Sequence, residues 1–195
     1  MQFSDLKNQV KITDHQFDLI YPLDLRKLSP LHFTPVEIAK TAATLLNTNV
    51  NSQILDIGAG AGKFCFIASI LTEGFYTGVE ENERMVQVAN KIIKKNHLTK
   101  VKMVHSNILD LPFSEFTGFY FFNSFSQFLD RENVLYLDQN KRLYKKYTTY
   151  VKQSLDGMPA GTRLVTFFSE GKEIPDSYSI SLSLPDHKLK LWIRK

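Results

Sequence analysis

Three closely spaced glycines form the part of this sequence that most clearly indicates a ligand-binding site. Gly58, Gly60 and Gly62 directly follow the short apolar run 53–57. Glycine adopts positive φ angles and lets a ligand approach the backbone closely, and the first amides of a helix that follows such a turn attract an electron-rich group. The pattern therefore predicts a ligand site at a strand-to-helix turn.

The spacing of these glycines excludes two kinds of nucleotide site. A dinucleotide site requires G-x-G-x-x-G, but position 63 is Lys and the third glycine comes one residue early, at Gly62. A phosphate-binding P-loop requires four residues between its first glycine and G-K-[ST]. Here three residues separate Gly58 from Gly62, and Phe64 stands where a hydroxyl residue would hold magnesium.

The motif D-I-G-A-G-A-G at positions 56–62 resembles the first motif of the seven-strand methyltransferases that depend on S-adenosylmethionine (SAM). In that family an acidic residue closes the strand and the glycine loop runs under the methionine part of the cofactor. A glycine-rich turn that binds no ligand is the alternative. The resemblance implies the following cofactor contacts in this loop: Asp56, Gly58, Ala59, Gly60 and Gly62.

A second acidic position supports the resemblance. The aromatic and β-branched run 75–80 ends in a carboxylate 24 residues after Asp56. A carboxylate at the tip of a second parallel strand can accept hydrogen bonds from both hydroxyls of a ribose, so Glu80 is the predicted ribose ligand. Glu81 is a second candidate for cofactor binding, whereas Glu83 opens the next helix and is explained by the helix dipole.

The same resemblance assigns further positions to the cofactor. Phe33 and Thr34 lie in the segment that closes over the methionine end in similar methyltransferases, although an N-cap role explains Thr34 equally well. Asn107 holds the position that commonly reads the exocyclic amine of adenine, and Ile108 could pack on the adenine ring. An ordinary turn at the end of a strand is the alternative for Asn107.

The stretch N-S-F-S, which begins at Asn123, follows the strand expected to meet the methyl group of the cofactor. Amine methyltransferases often carry an Asn or Asp, small residues and an aromatic ring there. The resemblance therefore makes Asn123, Ser124 and Phe125 the predicted catalytic residues, with Asn123 also a cofactor contact. The prolines of the more specific N-P-P-Y motif are absent, and a plain core role is the alternative for Phe125.

Composition limits the other functions. The chain has 195 residues, 43% of them hydrophobic, which suffices for one domain with a full core. A net charge of +4 permits an acidic partner, but the lysine-rich segments 91–102 and 141–152 are predicted to be solvated helix faces and not a nucleic-acid surface. The single Cys65 and the scattered histidines predict no disulfide and no metal site. Neither a signal peptide nor a membrane span is predicted, and a cytoplasmic location is expected.

Strand and helix patterns alternate through most of the chain and end in a hairpin. They predict an α/β fold: a Rossmann-like seven-stranded, mostly parallel sheet with the last strand antiparallel and helices on both faces. Residues 34–195 are the predicted SAM-dependent methyltransferase domain, and their end also looks similar to small uncharacterised bacterial methyltransferases. Residues 1–33 are predicted to form a helical or irregular cover on the acceptor side, with a structural brace as the alternative.

Methyl transfer from a sulfonium requires alignment and exclusion of water more than acid–base chemistry, so the chain needs no catalytic triad. The predicted function is methyl transfer from SAM to an acceptor, which we expect to be an amine of a small molecule or of a protein lysine. Transfer to oxygen or carbon is one alternative. A domain that binds SAM or S-adenosylhomocysteine (SAH) without turnover is another.

Overall fold

A computed structural model describes residues 3–8, 10–122, 124–125, 137–169, 171–184, 186 and 188–195. Over these residues the chain forms one seven-stranded sheet with helices around it. The strands are β1 (Gln53–Ile57), β2 (Phe75–Glu80), β3 (Val101–His105), β4 (Gly118–Phe122), β5 (Arg163–Phe167), β6 (Tyr178–Ser183) and β7 (Leu189–Arg194). The α-helices are α1 (Phe3–Lys7), α2 (Asp14–Asp18), α3 (Leu23–His32), α4 (Val36–Leu46), α5 (Lys63–Leu71), α6 (Glu83–Asn96) and α7 (Leu137–Asp156).

The strand order is β3-β2-β1-β4-β5-β7-β6. The neighbours from β3 to β5 pair in parallel, and β7 pairs antiparallel with both β5 and β6. The predicted fold class is therefore confirmed. The order reverses between β1 and β4, and in such sheets ligands bind in the crevice beyond the carboxyl ends of the strands at that point.

The central strands are apolar on both faces because helices cover both faces of the sheet. Side chains alternate along β1, so Ile54 packs under α4 and α5 whereas Leu55 packs under α7. Strand β4 alternates in the same way, with Tyr120 on the α4 face and Phe119 on the α7 face. This packing fixes the register of the strands whose ends carry the site.

The N-terminal segment 3–33 contains three helices and packs on the face of the sheet that carries α4 and α5. Leu6, Phe17 and Tyr21 are buried in the same hydrophobic cluster as the side chains of those helices. The Phe3 ring meets Phe17 and Phe66 edge to face at 6.1 and 6.3 Å. The segment is therefore anchored to the sheet domain by apolar contacts, and the domain boundary at residue 34 stays a prediction.

The predicted N-cap role of Thr34 is wrong. Helix α4 begins at Val36 with Pro35 in the N-cap position, and the Val36 N–H donates to Asp14 Oδ1 at 2.8 Å. The Thr34 hydroxyl instead pairs with the Tyr120 hydroxyl at 3.0 Å. A carboxylate from α2 thus caps the helix, and a local sequence pattern cannot reveal a cap that comes from another element.

Within the described ranges, no helix has the length and apolar composition needed to cross a bilayer.

Candidate functional site

The loop between β1 and α5 has the conformation that its glycines predict. Gly58, Gly60 and Gly62 have φ angles of 73°, 55° and 82°, which side chains disfavour. The N–H groups of Gly58 and Ala59 donate to the Val79 carbonyl at 3.0 and 2.9 Å. These bonds fasten the loop to β2 at the carboxyl edge of the sheet.

The loop also makes close contacts with two other elements. A Cβ on Gly58 would lie 2.5 Å from the Cβ of Ser124, just beyond β4, so no side chain fits there. A Cβ on Gly60 would lie 3.6 Å from the ring of Phe33, which follows α3. The glycine loop thus lies between the end of β4 and the N-terminal segment.

Two cavities flank this loop. The larger has a volume of about 300 Å³ and lies between the loop and α3, with His32, Phe33 and Phe122 in its walls. The smaller has a volume of about 50 Å³ and includes Ile108 and Phe125 in its lining. Small-molecule pockets usually measure about 300–1,000 Å³, so the larger cavity falls within that range and the smaller one is far below it.

Glu80 lines both cavities. Its Oε2 accepts a hydrogen bond from the Gly60 N–H at 3.0 Å, and its Oε1 accepts from the Asn82 N–H at 2.8 Å. Each carboxylate oxygen can accept more than one hydrogen bond, so both retain capacity for a ligand hydroxyl. The predicted ribose ligand therefore stands where the loop, β2 and α6 meet.

Glu81, Asn107 and Tyr147 form a hydrogen-bonded cluster, and Glu81 and Tyr147 line the smaller cavity. The Tyr147 hydroxyl donates to Glu81 Oε1 at 2.7 Å, and Asn107 Nδ2 donates to that same oxygen and, at 2.6 Å, to the Tyr147 oxygen. Asn107 Oδ1 accepts from the Leu109 N–H at 2.9 Å. Burial and the hydrogen bond to Glu81 raise the pKa of Tyr147. Three polar groups thus close the space beside the buried Ile108.

Tyr147 was not predicted as a site residue. In the sequence it is one member of the apolar face of α7, and only the fold shows that its hydroxyl meets the end of β2.

Asp56 lies buried behind the loop, with 4% of its surface exposed. The Cys65 thiol donates to its Oδ2 at 3.5 Å. Burial raises the pKa of the Asp56 carboxyl to about 7, and the nearby charge of Glu80 acts in the same direction, against the lowering effect of the Cys65 bond. Asp56 therefore exchanges a proton near neutral pH.

A third, narrow space of about 20 Å³ brings the predicted methionine-side residues together. It lies beneath the loop and is lined by Thr34, Asp56, Gly58 and Ala59. Gly62 does not line this space. It faces the core instead, since a Cβ on Gly62 would lie 2.9 Å from the Phe66 ring.

The structure describes two of the three predicted catalytic residues, Ser124 and Phe125. Asn123 lies outside the described residues. Ser124 lines both cavities, but its hydroxyl is directed at the backbone carbonyls of Ile57 and Phe122. Phe125 is 5% exposed, packs 5.2 Å from the Tyr147 ring and lines the smaller cavity. A role for Phe125 in shaping an acceptor site stays a prediction.

An ion pair joins α3 to α6 beside the larger cavity. The Arg84 guanidinium donates to Asp24 Oδ2 from its Nη2 at 2.5 Å and from its Nε at 3.0 Å. These hydrogen bonds lower the pKa of Asp24. Both side chains are more than half exposed, and 60 positions separate them, so the sequence pattern gave no sign of the pair.

Metal ligands are absent from the part of the chain that the structure describes: no three His, Cys, Asp or Glu side chains are grouped there.

Parts of this chain are similar in sequence to known methyltransferases. Residues 48–158 match the family model of a methyltransferase domain. The chain is 28% identical over 102 residues to demethylmenaquinone methyltransferase of Listeria welshimeri, which aligns 51% of this chain with 43% of that protein. It is 28% identical over 133 residues to phosphoethanolamine N-methyltransferase of Plasmodium falciparum, aligning 67% of this chain with 44% of that protein. The chain thus spans less than half of the length of these curated relatives.

The fold is similar to that of the O-methyltransferase from Bacillus cereus in complex with SAH. The TM-score is 0.62 and the sequence identity 13%, over 98% of this chain and 96% of that chain. At this identity the likeness shows the fold alone.

The family match covers more than half of the chain and includes β1, the glycine loop, Glu80 and Asn107. It confirms the predicted methyltransferase family. The chain belongs to the methyltransferase domain family and has the Rossmann-like fold of the SAM-dependent enzymes.

Proposed function

We propose that this protein transfers the methyl group of SAM to an amine, carried by a small molecule or by a protein lysine. The main observation behind the proposal is the position of Glu80, which lines both cavities. These cavities lie beside a glycine loop that has no room for a side chain at Gly58. Bound SAM supplies a methyl group already activated by a sulfonium.

The residues around the loop fit such a cofactor. Gly58 and Gly60 hold the loop at positive φ, and Glu80 offers free acceptor capacity for ribose hydroxyls. Asp56 lies beneath the loop, where its carboxylate would favour a cationic amino group. The smaller cavity measures only about 50 Å³, so Glu81 and Tyr147 in its lining must shift for adenine to bind there.

The larger cavity supplies what an amine acceptor needs. Leu28, Leu31 and Phe122 in its walls help to exclude water. An alkylammonium must lose a proton before its nitrogen attacks, and His32 in the same wall is a group that could take that proton. Similarity to phosphoethanolamine N-methyltransferase over 67% of the chain supports the choice of an amine.

A second candidate is an acceptor other than an amine. It is supported by the equal identity to demethylmenaquinone methyltransferase, whose name implies a quinone acceptor. The two candidates use the same cofactor site and differ only in the group presented to the methyl carbon.

Incubation of the full chain with methyl-labelled SAM and cell lysate tests the proposal. The lysate products are separated into macromolecular and small-molecule fractions, and mass spectrometry then identifies the methylated atom. We expect N-methyl product with the wild-type protein and far less with Glu80→Ala. Label on oxygen or carbon would favour the second candidate. Binding of SAH without transfer to any fraction would contradict both and indicate a binding domain.

A further inference from the structure

Phe168 has an unusual backbone conformation at the end of β5. Its φ angle is 53°, and His97 is the one other non-glycine residue with positive φ among the residues that the structure describes. His97 is the C-cap of α6, where left-handed geometry commonly ends a helix. Phe168 has no such role and is 46% exposed, so burial does not offset the strain of a bulky residue in this region.

The left-handed geometry changes the direction of the Phe168 ring. In a regular strand, Phe167 and Phe168 would point to opposite faces of the sheet. Instead the Phe168 ring lies 4.6 Å from Phe167 and 6.2 Å from Phe122, measured between ring centroids. Phe122 lines the larger cavity. The half-exposed Phe168 therefore continues, towards the surface, the row of aromatic rings that begins with Phe122 in the cavity wall.

A cation lies over the outer end of this wall. Lys188 Nζ is 4.8 Å from the Phe168 ring centroid, and the Phe168 N–H donates to the Lys188 carbonyl at 3.0 Å, which fixes the two backbones together. Lys188 has no ion pair with any carboxylate of the described residues. The wall thus ends in an aromatic face beside a positive charge without a counter-ion in the described part of the chain.

We propose that Phe122, Phe168 and Lys188 form a subsite for the methyl acceptor, and that the acceptor carries a flat apolar body with an anionic group, a carboxylate or a phosphate, at the end far from the reacting atom. This inference rests on the proposed function because it concerns the acceptor of the same site. The apolar body lies along the two phenylalanine rings, and the anionic group meets Lys188. A reacting amine stays at the cavity end, because Lys188 repels an ammonium close to it.

Two naphthalene probes of similar shape test the subsite in the full chain loaded with SAH. The first is 2-naphthoate, which has a carboxylate, and the second is 2-naphthalenemethanol, which has none. We expect 2-naphthoate to bind more tightly to the wild-type protein. Lys188→Gln should weaken the binding of 2-naphthoate by about two- to fivefold and leave the alcohol unchanged, because only the charge is lost.

Variants of Phe168 and His97 distinguish the effect of the Phe168 ring from the effect of its strained backbone. Phe168→Gly removes the ring and relieves the backbone strain together, and it should weaken the binding of both probes by about two- to fivefold. Phe168→Leu keeps an apolar side chain without the aromatic face and should weaken both probes as well. His97→Gly relieves the same backbone strain away from the site. It should raise the melting temperature and leave the binding of both probes unchanged.

Titration with SAH alone separates the failure of this inference from failure of the proposed function. If SAH does not bind, the proposed function fails. If SAH binds but 2-naphthoate does not, or binds equally to wild type, Lys188→Gln and Phe168→Gly, then the subsite is overturned and the cofactor site stands. Equal binding of the acid and the alcohol to the wild-type protein would also overturn it.

Discussion

Glu80 connects the parts of the candidate cofactor site. Its two oxygens hold the amides of Gly60 and Asn82, so the carboxylate fixes the glycine loop relative to the start of α6. Glu81, the next residue, faces Asn107 and Tyr147 instead. The two neighbouring carboxylates thus face different partners, because Glu80 ends β2 and Glu81 lies in the bend that follows it.

Glu80→Ala should therefore weaken the binding of SAH by about ten- to a hundredfold, since a hydrogen bond to a charged group contributes about 1.5–3 kcal/mol. Glu81→Ala is the matched control and should cause a smaller loss. Calorimetric titration of both variants measures the difference. Unchanged affinity in Glu80→Ala together with a clear loss in Glu81→Ala would show that the ribose ligand is Glu81.

Asp56 makes stability depend on pH. Its carboxyl has a pKa of about 7 when folded and 3.8 as a free group, so the folded protein holds the proton more tightly. A raised carboxyl pKa favours the folded state at low pH, and this contribution is lost as pH rises from about 4 to 7. Above pH 7 the loss is complete.

The neutral variant Asp56→Asn lacks this proton. Its free energy of unfolding, minus that of the wild type, should rise by at most about 1.4 kcal/mol per pH unit between pH 4 and 7 and then stay constant. Urea unfolding at several pH values measures it. A difference that does not vary with pH would contradict the raised pKa.

At the scale of elements, a buried ion-pair cluster joins the N-terminal segment to the glycine loop. Lys63 follows Gly62 directly and has 3% of its side chain exposed. Its Nζ lies 2.7 Å from Asp14 Oδ1 and 2.8 Å from Asp18 Oδ1, and Asp18 Oδ2 also accepts from the Ser29 hydroxyl at 2.5 Å. Lys63, the first residue of α5, therefore binds α2 directly, and Asp18 links it to Ser29 of α3.

Lys63→Met should lower the free energy of unfolding by about 3–5 kcal/mol, because it leaves Asp18 buried without its cation. Lys100→Met is the control: Lys100 pairs with Glu73, whose side chain is 70% exposed, and its loss should change stability far less. Urea unfolding compares the two variants. Equal effects would show that the Lys63 cluster contributes no more than a surface pair.

The N-terminal cover should respond to cofactor in α3 and not in α2. Phe17 is fully buried in α2, whereas α3 is attached to α6 by the exposed Asp24–Arg84 pair and contains Pro30, which removes a helical hydrogen bond. Hydrogen exchange with and without SAH should therefore show added protection at residues 21–34 only. Unchanged protection there, with tightening at the glycine loop, would contradict a covering role.

The local structure of the site could be predicted from the sequence, but the contacts between residues distant in the chain could not. The bounds of β1, the glycine turn and the acid that ends β2 were predictable, because each depends on residues adjacent in the chain. The Asp14 cap of α4, the Lys63 cluster and the hydroxyl of Tyr147 at Glu81 were not. Each joins residues that only the folded sheet brings together.

At the scale of the whole molecule, sheet order and loop position converge on one ligand site. The strand order reverses between β1 and β4, the glycine loop lies at that carboxyl edge, and residues of α3 line the larger cavity beside it. A nicotinamide dinucleotide would use a similar edge in a related sheet, but it requires a glycine spacing that this loop lacks. The glycine spacing therefore predicts that this edge binds SAM and not a nicotinamide dinucleotide.

Calorimetric titration of the purified chain with SAH, SAM and a nicotinamide dinucleotide tests this claim most directly. We predict saturable binding of SAH and SAM at one site per chain, with SAM excluded once SAH is bound, and no heat with the dinucleotide. Clear binding of the dinucleotide with no heat from SAH or SAM would contradict the account.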